Sequence, residues 1–298
     1  MNTNMQRDIG LVIRPGVAAA VDLAREVLAW AENKNFVVRA DEVSAKILGL
    51  VGVPPQQLAT QADPIVILGG DGTMIGIARY VTRLSPLLVG VNFGTLGFLT
   101  ELAPAELIPT LDRLFSNSAA GEIAERSMLY GEVFRVKDGR EQCVFASQAV
   151  NDIVIQKGSQ DPLVSLDLFV DAEAVARVRA DGLIVATPTG STAYSLAAGG
   201  SIVHPSVGAF LVTPICAHSL TSRPLVLSLE SRLEIQVPKY EGQIFCMIDG
   251  QVSTCILPGD RIFIKRANNK LRLLRSSKRS YFEILRGKLN WGIANRAE

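Results

Sequence analysis

The apolar run Pro64-Ile-Val-Ile-Leu68, followed at once by Gly69-Gly-Asp71-Gly72-Thr73, constrains this chain more than any other stretch. A short run with no polar position reads as a parallel strand buried on both faces. Similar runs at 9–13, 36–38 and 87–91 read the same way. Between them lie helical patterns. Residues 17–32 place Val21, Ala24, Leu28 and Ala31 on one face. Residues 73–84 form a second helix and 104–115 a third, with Pro104 suited to a first turn. Strand and helix in alternation predict a doubly wound α/β domain with a parallel sheet.

The pattern changes near Gly121. Short β-type runs then dominate, at 128–136, 150–156, 164–170, 183–186, 225–229, 233–237, 244–248 and 261–265. Turn residues separate them, which predicts an all-β, sandwich-like domain. Residues 191–198 interrupt it as a helix, and 281–289 form a last helix that packs back onto the first domain. The expected division is 1–122, the α/β domain with the glycine loop; 123–272, the β-rich domain; and 273–298, a C-terminal segment on the first.

Charge narrows the functions. Lysine and arginine number 30 against 29 acids, a net charge of +1. Binding to a nucleic-acid backbone or an anionic membrane needs a clear positive excess. At 48% hydrophobic residues the chain has enough apolar surface to fold. The longest stretch free of acid or Lys/Arg, between Asp181 and Arg223, is broken by Pro188, Pro205 and Pro214, so no membrane span is expected. Residues 1–8 are polar and lack the features of a secretory signal. The cysteines, Cys143, Cys216, Cys246 and Cys255, form no Cys-x-x-Cys pair, and there are only two histidines. That predicts no structural zinc and no disulfide framework, but reduced, buried thiols in a cytoplasmic protein.

Four segments carry candidate chemistry. The 69–73 turn stands where a strand ends and a helix begins, the edge at which open α/β sheets bind ligands. Its glycines Gly69, Gly70 and Gly72, with Thr73, let backbone N–H groups approach a phosphate. Asp71 either holds a metal, accepts a proton from an attacking hydroxyl, or caps the next helix. No Walker A loop occurs, and Gly70-x-Gly72-x-x-x-Gly76 is not a dinucleotide fingerprint. The second segment, Asn92-Phe-Gly94-Thr-Leu-Gly97-Phe-Leu, lies at the same sheet edge if the strands are parallel. The third, Asn151-Asp152, interrupts a β run, so a buried acid there needs a partner or marks a strand end. The fourth runs from Asp181 through Thr187-Pro-Thr-Gly-Ser-Thr-Ala-Tyr194 to Gly200. Its hydroxyls and helix start suit a phosphate or carboxylate, and Tyr194 offers a face for stacking on a base.

Taken together and in this order, the four segments resemble the NAD kinases. Gly-Gly-Asp71-Gly alone is shared with lipid kinases and 6-phosphofructokinases; the segment from Asp181 to Gly200 is far more specific. The resemblance implies phosphorylation of NAD⁺ at the adenosine-ribose 2′-hydroxyl. ATP with Mg²⁺ or Mn²⁺ would be the donor. It implies Asp71 as proton acceptor with Gly72 beside the substrate, and Gly69, Gly70, Gly72 and Thr73 as the donor-phosphate loop. Asn151 and Asp152 would bind the adenosine portion of NAD, Asp152 standing where the family often has glutamate. Arg179, Asp181, Thr192, Ala193, Tyr194, Ser195, Leu196, Ala197 and Gln251 would complete the NAD site. The family further implies a homodimer or homotetramer, NADPH as a feedback ligand and polyphosphate as a possible donor. The rival functions are a lipid or sugar kinase sharing the glycine loop, and a non-catalytic NADP(H)-binding sensor. His218, in Pro214-x-x-x-His-x-Leu-x-x-Arg223, reads as a satisfied residue of the core or one supporting the site from behind, rather than a catalytic one.

Overall fold

The computed structural model describes residues 8–82, 84–94, 96–116, 121–219, 221–238, 240–276 and 278–291. Residues 1–7, Thr95, Leu220 and 292–298, all within sequence features named above, lie outside the described set. The chain forms two compact units, one of residues 1–125 with 271–298 and one of residues 126–270.

The first unit alternates strand and helix: β1 (Asp8–Ile13), α1 (Ala18–Asn33), β2 (Val37–Asp41), α2 (Glu42–Leu48), β3 (Gly52–Val53), α3 (Pro55–Gln61), β4 (Ile65–Leu68), α4 (Asp71–Ala78), β5 (Leu87–Val91) and α5 (Leu107–Phe115). Its strands are parallel in the order β5-β4-β1-β2-β3. β4 and β5 are buried at every position, as the apolar runs predict. Val66, Leu68, Val89 and Val91 meet Leu23, Ala24 and Val27 of α1 and Leu107 and Leu111 of α5 in one core.

Two short helices escape the sequence reading. α2 is capped by the Asp41 carboxylate, which accepts from the Ser44 N–H, and stops at Gly49 in the left-handed region (φ 71°). α3 opens with Pro55 in its first turn. At seven residues each, they repeat too few apolar positions for a period to show. α4 is shorter than the predicted 73–84 helix. It begins at Asp71, and a tighter turn from Tyr80 N–H to Ile77 carbonyl (3.0 Å) ends it.

The second unit is a two-sheet antiparallel sandwich. Its strands are β6 (Glu122–Lys137), β7 (Arg140–Ala149), β8 (Asp152–Lys157), β9 (Val164–Val170), β10 (Glu173–Ala180), β11 (Gly182–Ala186), β12 (Ala209–Ile215), β13 (Leu225–Ser228), β14 (Leu233–Gln236), β15 (Ile244–Ile248), β16 (Val252–Ile256) and β17 (Arg261–Arg275), except that the first residues of β6 and the end of β17 belong to the first unit, where β17 pairs with β5 in parallel. One short helix, α6 (Tyr194–Ala197), follows β11. One sheet runs β13-β12-β11-β8-β15-β16, and the other carries β10-β9-β14 and the start of β17. Residues two apart along each strand face the same core: Ile153 and Ile155, Leu183 and Val185, Leu166 and Leu168, Ile262 and Ile264. β10 leaves no such trace, because six of its eight residues are exposed.

The final helix, α7 (Tyr281–Leu289), belongs to the first unit. Arg275 Nε bonds the Glu101 carboxylate at 3.0 Å, and the Ser276 N–H donates to its other oxygen at 3.2 Å. Glu101 is 3% exposed, and losing either partner of such a buried pair costs about 3–5 kcal/mol. Ser280 and Glu283 close a capping box at the start of α7. No helix among the described residues is long and apolar enough to cross a membrane.

One sequence expectation is corrected. Only Cys246 is buried; Cys143, Cys216 and Cys255 are exposed. Cys143 and Cys255 fall on outward positions of their strands, and Cys216 lies just past β12 at a positive φ of 48°.

Candidate active site

In the first unit the 69–73 turn links the end of β4 to α4. A Cβ on Gly69 would stand 2.5 Å from Thr73 Oγ1, so this glycine is required by packing. Gly70 and Gly72 differ: a Cβ on either would meet nothing within 4 Å. Neither has a positive φ. The protein itself does not need these glycines, and they leave bare backbone facing a cleft.

Asp71 does not cap α4. No side-chain cap bond is formed there. Its carboxylate instead reaches the segment after β5 and accepts from Phe98 N–H (2.8 Å), Leu99 N–H (3.1 Å), Thr100 N–H (3.1 Å) and Thr100 Oγ1 (3.1 Å). A Cβ on Gly97 would lie 2.0 Å from Asp71 Oδ1, which fixes glycine at that position. β4 and β5 are parallel, so the loops after them share one sheet edge, as the motif spacing requires. Between them opens a cleft of about 600 Å³ lined by Gly70, Asp71, Gly72, Thr73, Asn92, Phe93, Gly94 and Gly97. Arg14 and Lys288 also line it, and the sequence reading misses both.

In the second unit Asn151 and Asp152 mark a strand start: β7 ends at Ala149 and β8 opens at Asp152. Asp152 pairs with Ala186, the last residue of β11. The turn that follows β11 is strapped to the same place. Thr187 N–H donates to Asn151 carbonyl (2.8 Å), and Thr187 Oγ1 to Val150 carbonyl (2.6 Å). A Cβ on Gly190 would meet the Asn151 carbonyl at 2.1 Å. From the β15–β16 turn, Asp249 accepts from Val150, Asn151 and Asp152 N–H groups at 2.9, 2.7 and 3.0 Å. Asn151, Asp152, the 187–194 turn and the Asp249-Gly250-Gln251 turn thus form one edge. Asp249 is a structural member of it that the sequence reading passes over; the visible signal is its Asp-Gly hairpin turn.

Asp152 is 5% exposed, and its carboxyl is pushed up to about 7, first by burial and then by the nearby Asp249 charge. The hydroxyls around it are held locally: Ser191 Oγ donates to Pro188 carbonyl (2.6 Å), and Ser195 Oγ lies 3.0 Å from Thr213 Oγ1. The expected helix over 191–198 is a single 3₁₀ turn, Gly190–Thr192, followed by the four residues of α6. So short a helix carries little macrodipole, and the anion site expected at its start loses that support. Tyr194 is 39% exposed and free to stack.

Arg179 and Asp181 stand elsewhere in this unit. Gly182 pairs with Gln156 and Ala186 with Asp152, so Asp181 precedes the opposite end of β11 from the Asn151 edge. Its carboxylate lies 3.4 Å from Lys157 Nζ. Arg179 lines a separate pocket of about 320 Å³ with Arg177 and Arg223. His218 is exposed, not a core residue, and its N–H donates to the Arg179 carbonyl at 2.9 Å.

The first unit is a parallel α/β sheet with a glycine-lined cleft at its strand ends, the place where such sheets hold nucleotide phosphates, and a β sandwich is joined to it in sequence. Residues 9–119 match the ATP-NAD kinase N-terminal domain and residues 150–276 the ATP-NAD kinase C-terminal domain. The NAD kinase of Geobacter sulfurreducens is 40% identical over 91% of this chain and 93% of its own. That of Thiobacillus denitrificans is 41% identical over 95% of this chain and 96% of its own. Yeast NADH kinase, solved with NADH, superposes with a TM-score of 0.89 at 26% identity over 99% of this chain and 91% of its own. An Archaeoglobus fulgidus NAD kinase, solved with ATP, gives 0.73 at 25% identity over 95% of this chain and 98% of its own. The chain belongs to the NAD kinase family and is an enzyme, a phosphotransferase.

Proposed function

We propose that this enzyme transfers the γ-phosphoryl group of ATP to the adenosine-ribose 2′-hydroxyl of NAD⁺, forming NADP⁺, with Asp71 as the proton acceptor. One observation carries the reading. Four donors hold the Asp71 carboxylate beside two glycines that no internal contact requires. Phosphoryl transfer asks a protein mainly for in-line positioning and charge neutralisation. A carboxylate locked by backbone N–H groups cannot rotate away from an incoming hydroxyl. Gly69, Gly70, Gly72 and Thr73 are assigned to the donor phosphates. Asn151, Asp152, the 192–197 segment with Tyr194, and Gln251 are assigned to NAD⁺; Arg179 and Asp181, at the other end of β11, are assigned to it on the family resemblance alone.

The metal enters as part of the donor, magnesium- or manganese-bound ATP. Among the described residues no group of three or more His, Cys, Asp or Glu side chains is arranged to hold an ion. Asp71 is the sole acid among the residues lining the cleft. That donor set fits an ion held chiefly by phosphate oxygens, as Mg²⁺ commonly is. When bound, the ion spreads the charge of the transferring group.

Asp152, held near neutrality by burial, keeps a proton at physiological pH in a fraction of molecules and can donate a hydrogen bond to the nucleoside. Assembly as a homodimer or homotetramer, feedback by NADPH and a cytoplasmic location belong to the same reading.

The test is a coupled assay. Purified protein, NAD⁺, Mg²⁺ and ATP are incubated, and NADP⁺ is read with an NADP-specific dehydrogenase. Parallel wells replace ATP with polyphosphate and NAD⁺ with NADH. NADP⁺ formation that requires ATP and metal is the expected result. No NADP⁺ from any donor, with the protein folded, would overturn it.

A further inference from the structure

We infer that Arg14 and Lys288, at opposite ends of the chain, bind the phosphate chain of the donor across the cleft from Asp71. Both side chains are exposed and line the cleft that holds the Gly70-Asp71-Gly72 turn. The inference rests on the reading of this cleft as the donor site.

Charge motivates it. The residues lining the cleft include one acid, Asp71, and two bases, Arg14 and Lys288. A polyphosphate entering beside a carboxylate is repelled unless fixed cations outweigh it. Both cations are available. Among the described residues neither forms an ion pair with a carboxylate, and neither is tied to Asp71.

Geometry places them. Arg14 follows β1 directly, and its N–H donates to Leu68 carbonyl at 2.9 Å, one residue before the glycine turn. Gly69 is small because its missing Cβ would press on the Arg14 Cβ at 2.9 Å, so the Arg14 backbone runs against the turn itself. Lys288 comes from α7. Its Nζ sits 5.5 Å from the centroid of the Phe98 ring, a cation–π distance. The Phe98 N–H is also a donor to the Asp71 carboxylate, at 2.8 Å. One residue therefore positions both the acid and the cation. An ammonium held over a ring face still has N–H donors directed away from the ring for oxygen ligands. α7 is thereby part of the donor site.

Isothermal titration of magnesium–ATP into the folded full chain tests this, for wild type, Lys288→Gln, Lys288→Arg, Arg14→Gln and the control Arg286→Gln on the same helix. NAD⁺ is titrated in parallel. Each Gln variant is expected to weaken magnesium–ATP binding about tenfold, the worth of a charge-assisted contact, while leaving NAD⁺ binding within about twofold. Lys288→Arg restores most of the loss, and Arg286→Gln behaves as wild type. In turnover the loss appears in KM for ATP rather than KM for NAD⁺. Magnesium–ATP binding unchanged in both Gln variants would overturn the inference. So would an equal loss of NAD⁺ binding, which would mark a general structural effect. Because binding is read directly, a wild type that bound magnesium–ATP but made no NADP⁺ would sink the proposed reaction while leaving this inference decided by the variants.

Discussion

Asp249 and Asp152 are joined in both directions: Asp249 Oδ1 accepts from the Asp152 N–H at 3.0 Å, and the Asp249 N–H donates to the Asp152 carbonyl at 2.9 Å. Their two carboxylates are thereby confined to one corner, where Asp152 is buried and Asp249 half-buried. Asp249 spends its charge on three backbone N–H groups, at Val150, Asn151 and Asp152. Asp152 receives none of that compensation, and its carboxyl is raised to about 7.

That arrangement makes stability depend on pH. Below about pH 4 the Asp152 carboxyl is protonated in both folded and unfolded chains, and it adds no pH dependence. Between about pH 4 and pH 7 the unfolded chain releases the proton while the folded one keeps it, so stability falls as pH rises. The slope is about 1.4 kcal/mol per unit at most, a total of a few kcal/mol. Above about pH 7 the loss is complete. Urea unfolding of wild type and Asp152→Asn from pH 4.5 to 8.5 checks it: the variant gains on wild type as pH rises. Parallel curves would mean that the Asp152 charge is compensated by something else.

The Gly97 position gives the sharpest steric prediction. Gly97→Ala places a methyl 2.0 Å from Asp71 Oδ1, so the carboxylate must leave its cradle. The fold survives, because the closest clashes are with two side chains at a cleft wall, Asp71 and Thr100 (Oγ1 at 2.5 Å), and not with backbone. Turnover is expected to fall at least ~100-fold, with NAD⁺ binding retained, as misplacement of a reacting group by about 1 Å can cost that much. Gly70→Ala is the contrast. Its methyl meets no protein atom within 4 Å and intrudes only on the cleft, so it raises KM for ATP without moving Asp71. Equal effects of the two substitutions on kcat would contradict this account.

These two sites also show where sequence suffices and where it stops. β4 with its glycine turn is legible because a strand buried on both faces needs an unbroken apolar run, and a turn with bare glycines is a local pattern. Asn151-Asp152 is legible as polar residues interrupting such a run. Asp249 is not, because its partners lie 97 to 99 residues away and only the folded hairpin brings them together. Arg14 and Lys288 are hidden for the same reason: nothing local distinguishes them from other surface cations. The hydroxyls carry a structural role that sequence does not show: the oxygens of Thr187, Ser191 and Ser195 are engaged with Val150, Pro188 and Thr213. Arg179 and Asp181 adjoin the Thr187 turn in sequence, but the length of β11 carries them to its other end.

The cysteines offer a test of the sandwich core. Cys246 lies among Ile155, Leu183 and Ile248, and burial pushes its thiol up to about 12. Cys143, Cys216 and Cys255 are exposed. A thiol-reactive dye should titrate three thiols in native protein and a fourth only in denaturant. Rapid labelling of Cys246 in native protein would mean that this core opens.

Asp71→Asn tests the proton-acceptor role and needs a careful reading, because Asp71 also organises its loop. An asparagine keeps one carbonyl oxygen. If that oxygen takes the place of Oδ1 it still accepts from Leu99 N–H, Thr100 N–H and Thr100 Oγ1. The amide NH₂ then faces the Phe98 N–H, donor against donor, where Oδ2 had accepted. Leaving that donor unsatisfied costs about 1–3 kcal/mol, so a fall in Tm of several degrees is expected from structure alone. Loss of a positioned base removes a further ~10²–10⁴ from kcat. The two effects separate in Thr100→Val, which removes one donor to the carboxylate and leaves the carboxylate in place. Thr100→Val should lower Tm with kcat reduced less than about tenfold, whereas Asp71→Asn lowers Tm comparably and kcat by orders of magnitude more. If Thr100→Val and Asp71→Asn lose turnover equally, Asp71 acts by holding the loop and some other group takes the proton.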